Sequence, residues 1–302
     1  MGVGSGMRTP SRYTAALVLS LVLTLAAGCL AAEPLAVAVS ILPQKYFVER
    51  IGGDAVRVTV MVPPGADPHG YEPRPRQMTE LSASRLYLAI GVDFERAWLN
   101  RLRTANPGLA VVRTDDGVPK RPMAPGDGHS HAAGGHRHGS GEPDPHVWLS
   151  PALVKVLSGN ILRALAAADP GNRTAYEARC ARFLEEVEAL DAELKAVFAD
   201  RQGSRFIVLH PAWGYFATAY GLEQIPIEIE GKEPKPAQLQ GLIRRARELG
   251  ITAVFVQPQF SARTAELVAR EIGGQVMAAD DLAENWLENL RATARRLRAA
   301  LK

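Results

Sequence analysis

The apolar positions of this chain fall into short solid runs separated by amphipathic stretches, the pattern of strands alternating with helices. Leu35-Ala36-Val37-Ala38-Val39-Ser40 reads as a buried strand. An amphipathic helix follows around Tyr46, Phe47, Val48 and Ile51 and ends at Gly52-Gly53. Val56 to Val62 is predicted as a second strand, Met78 to Leu86 as a helix and Leu86 to Ile90 as a third strand. Glu95 to Arg103 is again helical, and Val111 to Asp115 closes the series as a fourth strand. Such alternation predicts βαβ units and a mostly parallel sheet.

The same grammar returns in the second half. Phe206 to Leu209 is a strand leading through His210-Pro211 into a helix with Tyr215 and Phe216, and Ile225 to Ile229 is the next strand. Ala253 to Val256 then matches Leu86 to Ile90, and Val276 to Asp281 matches Val111 to Asp116. The loop residues Glu233-Pro234-Lys235-Pro236 match Glu72-Pro73-Arg74-Pro75. The matches keep their order at a separation of about 161 to 169 positions, which predicts two related lobes.

Between the halves, Tyr176, Phe183, Leu184, Val187, Leu190, Leu194, Val197 and Phe198 recur at spacings of three and four, one apolar helical face. Asp169 suits the cap of this helix and Pro170 its first position. Cys180 lies beside that face and reads as a buried thiol. The predicted fold is therefore α/β, with two related lobes of mostly parallel sheet joined by one long rigid linker helix. The expected boundaries are an N-terminal lobe over 33–157, a linker helix region over 158–200 and a C-terminal lobe over 201–302.

Composition narrows the class. At 302 residues the chain is long enough for two domains that each close a core, and 47% apolar with 22% charged residues is ordinary for a soluble protein. The net charge is +3, of which Arg8 and Arg12 supply two, so no nucleic-acid footprint is present. Two distant cysteines, Cys29 and Cys180, make no disulfide framework. Residues 1–28 read as a signal segment, with both arginines before an apolar run, Ala15 to Ala27, too short for a comfortable membrane span. Its end, Leu25-Ala26-Ala27-Gly28-Cys29, resembles a bacterial lipoprotein signal in which Cys29 is lipidated; secretory cleavage near Ala31 or Ala32 is the alternative. Both place the chain in the periplasm or on the extracytoplasmic face of the cell membrane.

Candidate chemistry gathers around GDGHSHAAGGHRHGSGEPDPHVWLSP, from Gly126 to Pro151. In its first half, a loop over 126–141, His129, His131, His136 and His138 alternate with Gly, Ser and Ala, a tract unable to bury apolar surface. This tract is either a solvated spacer or an auxiliary metal site. In the second half Pro143, Pro145 and Pro151 hold the backbone around His146. Ligands of open α/β sheets sit beyond the carboxyl ends of strands. His69 follows the second strand, His210 follows Leu209, and Asp280 follows the last strand of the second lobe. With His146 these residues occupy four separate loops. Three imidazoles and one carboxylate suit a tetrahedral divalent metal, zinc first. A zinc hydrolase would keep an open coordination position and a nearby general base, and no HExxH arrangement exists here.

At these residues the chain resembles the periplasmic substrate-binding proteins of bacterial zinc and manganese ABC importers. PPGADPHGYEPRP, DPHVWLSP and LHPAWGYFATAYGL look like that family's first three ligand loops, which places ligands on His69, His146 and His210. VMAADDLAENWLENLR is similar to its C-terminal segment, with the carboxylate at Asp280. Asp281 stands where the family usually has proline, so the acid remains Asp280 or Asp281. The resemblance implies metal held between two lobes and delivered to an ABC permease in the cytoplasmic membrane by a monomeric, non-enzymatic protein. The family's manganese branch typically carries glutamate where His210 stands, so the histidine argues for zinc as the cargo. A manganese or iron importer component, or an adhesin-like surface lipoprotein, are the alternatives.

Overall fold

A computed structural model of the chain describes residues 1–2, 33–123, 143–229 and 231–301. The signal segment with Cys29, and His129, His131, His136 and His138, lie outside the described residues.

Among the described residues, eight strands form two four-stranded parallel sheets of identical topology. The first contains β1 (Leu35–Val39), β2 (Val56–Val60), β3 (Leu86–Ala89) and β4 (Ala110–Arg113) in the order β2-β1-β3-β4. The second contains β5 (Arg205–Val208), β6 (Glu223–Pro226), β7 (Ala253–Val256) and β8 (Gln275–Ala278) in the order β6-β5-β7-β8. The interior strands β3 and β7 are buried at every position, whereas the edge strands β4 and β8 share one mixed pattern of exposure. Strands covered on both faces must be apolar throughout, which is why the interior ones were the most legible in the sequence.

Helices cover the sheets: α1 (Leu42–Gly52), α2 (Pro75–Ser82) and α3 (Asp93–Ala105) in the first lobe, and α6 (Gly214–Ala219), α7 (Pro236–Glu248), α8 (Arg263–Glu271) and α9 (Trp286–Ala300) in the second. The repeat extends to the helix starts. Pro75 and Pro236 each open a helix, and Gln77 and Gln238 each reach back to accept the backbone N–H of Arg74 and Lys235, both at 2.9 Å. Helix α2 stops at Ser82, short of the expected Leu86, because Asn106 Nδ2 donates to the carbonyl of Ser84 at 2.9 Å and turns the chain into β3. Strand β6 begins two residues earlier than expected and ends at Pro226. Arg205 pairs with Glu223 at its start, and an edge strand tolerates the proline.

One long linker helix joins the lobes, and a second helix packs along it. Helix α4 (Pro151–Ala168) turns at Asp169 and packs along α5 (Arg173–Val197), the long linker helix. At 25 residues α5 is about 37 Å long. Helix α4 escaped the spacing argument because its alanine-rich sequence carries no clear polar stripe. Pro170 belongs to a short 3-10 turn ahead of α5, and Asp169 does not cap a backbone N–H. Its carboxylate instead accepts the Tyr176 hydroxyl at 2.6 Å and the Asn172 amide at 2.8 Å, and the Tyr176 bond foremost holds it below the usual carboxylate range. Cys180 is buried, as expected, and burial raises its thiol pKa.

The larger of the two apolar cores crosses both lobes. One apolar cluster runs from Phe47 and Leu88 through Tyr176, Phe183 and Leu190 of α5 to Phe216 and Leu290, while Ile207, Ile243, Val254 and Val268 form a smaller one in the second lobe. Phe47 meets Trp286 edge-on at 5.2 Å between ring centroids. The Trp148 indole donates to the Asp281 carbonyl, and the Trp286 indole to the Trp148 carbonyl, both at 2.7 Å. A seam this apolar, tied by two buried indole hydrogen bonds, resists wide domain closure.

Candidate metal centre

The carboxyl ends of both sheets face one place, and three imidazoles meet there. The ligand atoms of His69, His146 and His210 all lie within 4.8 Å of one another. His69 Nε2 is 3.2 Å from His210 Nε2. His146 is 1% exposed and His210 3%, while the His69 side chain keeps 13% exposure.

Each loop is built to aim its ring. His69 and His146 both sit in an Asp-Pro-His triplet, in which the aspartate accepts the histidine backbone N–H: Asp67 Oδ1 at 2.9 Å and Asp144 Oδ1 at 3.0 Å. His210 lies just past β5, where Ile227 and Glu228 donate backbone N–H groups to the Val208 and Leu209 carbonyls and carry Glu228 alongside. Phe260 stacks on the His210 ring at 5.1 Å, and Trp148 lies 5.2 Å from that of His146.

Behind every ring stands a carboxylate. His69 Nδ1 is 2.9 Å from Asp93 Oδ2, His146 Nδ1 is 2.8 Å from Asp144 Oδ1, and His210 Nδ1 is 2.9 Å from Glu228 Oε2. Donation from Nδ1 to a carboxylate leaves the Nε2 lone pair pointing inward and makes it more basic, the usual outer layer of a metal-bound histidine. Burial lowers the His146 pKa, partly offset by its bond to Asp144, which favours the neutral, metal-binding ring. The sequence reading missed Asp93, Asp144 and Glu228. Asp144 was visible in the triplet, whereas Asp93 and Glu228 are 24 and 18 residues from their histidines.

Asp280 stands outside this triangle of nitrogens, the cluster comprising three histidines and no carboxylate. Asp280 Oδ1 accepts the Leu282 backbone N–H at 2.9 Å and the Gln259 amide at 3.1 Å. Asp281 is buried, and its Oδ1 has no hydrogen-bond partner. Burial, reinforced by repulsion from Asp280, pushes its pKa up to about 7. The two acids thus differ in setting, Asp280 held by hydrogen bonds and Asp281 buried.

A family model described as ZnuA, zinc-uptake complex component A, periplasmic, matches residues 37–300. The chain belongs to this family. It is 27% identical over 247 residues to the high-affinity zinc uptake system protein ZnuA of Bacillus subtilis, covering 80% of this chain and 77% of that protein. A crystal structure of ZnuA superposes with a TM-score of 0.82 at 43% identity, covering 89% of this chain and 100% of the other. A zinc-bound deletion mutant of ZnuA gives 0.81 at 43% identity, over 88% of this chain and 98% of the other. The two-lobe ZnuA-like fold is common to all of these structures.

Proposed function

We propose that this chain captures zinc outside the cytoplasm and hands it, without catalysing a reaction, to the permease of an ABC importer. His69, His146 and His210 are the nitrogen ligands, with Asp280 or Asp281 as the fourth. The observation that carries this reading is the convergence of three imidazole Nε2 atoms, each backed by a carboxylate through Nδ1. Membership of the zinc-uptake family supports zinc as the cargo, and so does the donor set. Three nitrogens match a borderline-soft ion better than manganese, which favours oxygen. The ion is cargo, so the protein must release it intact. We read residues 1–28 as an export signal, which supports a location in the periplasm or, with Cys29 lipidated, on the outer face of the cytoplasmic membrane, and we take the working form to be a monomer.

The test is the metal content of protein purified from its native compartment, with X-ray absorption to read the coordination. One tightly held zinc in a four-coordinate site with three nitrogen ligands is the expected result. Manganese or iron in that site, or zinc bound equally well after replacement of all three histidines, overturns the proposal.

A further inference from the structure

The three carboxylates behind the imidazoles are not equally placed. Asp93 and Glu228 keep 16% and 13% of their side-chain surface exposed, so water shares in stabilising their charge, and Asp93 also pairs with Arg96. Asp144 is 0% exposed. A carboxylate removed from water needs partners for both of its oxygens. Both donors to Asp144, the backbone N–H and the ring Nδ1 of His146, use Oδ1, and Oδ2 accepts no hydrogen bond. The cation beside Oδ2 is Arg121, its Nε at 3.7 Å.

Arg121 is itself held from the second lobe. Its backbone N–H donates to the Tyr215 hydroxyl at 3.0 Å, and its Nη1 to Thr218 Oγ1 at 3.0 Å, both on α6. The Tyr215 hydroxyl donates onward to the Asp144 carbonyl at 3.1 Å, and the Arg121 guanidinium lies 5.8 Å over the Tyr215 ring. The Asp144 backbone N–H returns to the Arg121 carbonyl at 2.8 Å, and Pro122 bridges Pro143. The guanidinium is therefore fixed between an α6 of one lobe and a carboxylate that serves the histidine of the other.

We propose that Arg121 is a positioning residue for zinc capture: clamped on α6 and seated beside Oδ2, its guanidinium holds the Asp144 side chain in the orientation whose Oδ1 takes the His146 backbone N–H and Nδ1, and so keeps His146 Nε2 turned inward. This rests on the reading of His146 as a ligand. The role acts through Asp144, since nothing places the guanidinium among the ligand atoms. Lysine retains the charge, glutamine removes it, and Tyr215→Phe removes the hydroxyl clamp while leaving the charge in place.

The experiment compares Arg121→Gln, Arg121→Lys, Tyr215→Phe and His146→Ala with the full-length parent. Zinc affinity is measured by competition with a chelator, and the His146 ring nitrogens by 15N NMR of the metal-free protein. Arg121→Gln is expected to weaken zinc about tenfold, within the range for outer partners of metal ligands, and to shift the His146 ring nitrogens. Arg121→Lys should restore most of the affinity, and Tyr215→Phe should leave the ring signals in place. Parent-like affinity and ring signals in Arg121→Gln overturn the inference. So do equal losses in Arg121→Gln and Tyr215→Phe with unmoved ring signals, which would make the contact a structural clamp. His146→Ala separates the two levels: parent-like zinc binding in that variant sinks the ligand assignment itself, whereas its loss beside an unaffected Arg121→Gln sinks only the role of Arg121.

Discussion

His69 Nε2 and His210 Nε2 stand 3.2 Å apart, one from each lobe. Both Nδ1 atoms face carboxylates, so both Nε2 atoms are turned towards the same point between the lobes. The proposed site thus draws its affinity from groups that the shared apolar seam already holds in place, and zinc has little ordering entropy to overcome. His69→Ala, His146→Ala and His210→Ala should each lower zinc affinity by more than the roughly 10- to 100-fold typical of an outer partner. Competitive titration checks this, with circular dichroism to show that the apo fold survives. Between the acids, Asp280→Asn and Asp281→Asn compared in the same titration should show the larger loss for the true fourth ligand.

Much of this was legible in the chain. The parallel interior strands announce themselves because burial on both faces leaves them no polar position, and the paired Pro-Gln helix starts show as repeated Glu-Pro-Arg-Pro and Glu-Pro-Lys-Pro. What escaped depends on three-dimensional closure. Asp93 and Glu228 look like any acid near a helix or strand end until folding lays them against His69 and His210. The two Asp-Pro-His triplets are identical in sequence yet differ in use. Asp144 serves both the backbone and the ring of its histidine, whereas Asp67 serves the backbone alone and Asp93 takes the ring. Nor did the sequence show that one of the two apolar cores runs across both lobes, because that depends on Phe47 and Trp286 meeting across the seam.

The carboxylates behind the rings give a separate test. Asp93→Asn and Glu228→Gln preserve shape but weaken the hold on the imidazole tautomer, so each should cost about 10- to 100-fold in zinc affinity while leaving one equivalent bound. Isothermal titration separates affinity from stoichiometry. Unchanged affinity in both variants would show that ring orientation is set by packing against Phe260 and Trp148 instead.

A pH dependence follows from Glu95, away from the site. Its carboxylate is buried, accepts the Ile90 N–H at 2.8 Å and the Gly91 N–H at 2.7 Å, and has its pKa raised from 4.5, chiefly by burial. The folded state therefore holds this proton to a higher pH than the unfolded chain does. Its contribution to stability is full below pH 4.5 and declines as pH rises through the folded value. Glu95→Gln abolishes that slope and sets an amide against an N–H donor. Denaturant melts should show the variant less stable than the parent, with the deficit largest near pH 4.5 and narrowing as pH rises. A gap that widens with pH would contradict the raised pKa.

Deleting residues 126–141, with His129, His131, His136 and His138, bears on how zinc arrives. Closing a Gly- and Ser-rich tract around an ion costs conformational entropy, so sites there should be weaker than the one between the lobes. We expect the deletion to remove low-affinity zinc equivalents and keep one tight equivalent. Loss of the tight site would mean that this segment supplies a primary ligand, and unchanged stoichiometry would mark it as a spacer.

Metal choice turns on His210. In the proposed site its ring is the third nitrogen ligand, backed at Nδ1 by Glu228. His210→Glu replaces a nitrogen with a carboxylate beside Glu228, shifting the donor set towards the oxygen ligands that manganese prefers. Two acids so close repel unless a cation lies between them, so the variant should also be less stable without metal. Raw affinity ranks zinc above manganese at almost any such site, so tight zinc binding in vitro does not settle the physiological cargo. The informative quantity is the ratio of the two affinities. We expect that ratio to fall at least tenfold in His210→Glu, with X-ray absorption moving from four-coordinate to five- or six-coordinate geometry. Growth complementation under zinc limitation should accompany the parent and fail with the variant. If the parent instead rescues manganese-limited cells and leaves zinc-limited cells unrescued, the zinc assignment falls, however tightly zinc binds the purified protein.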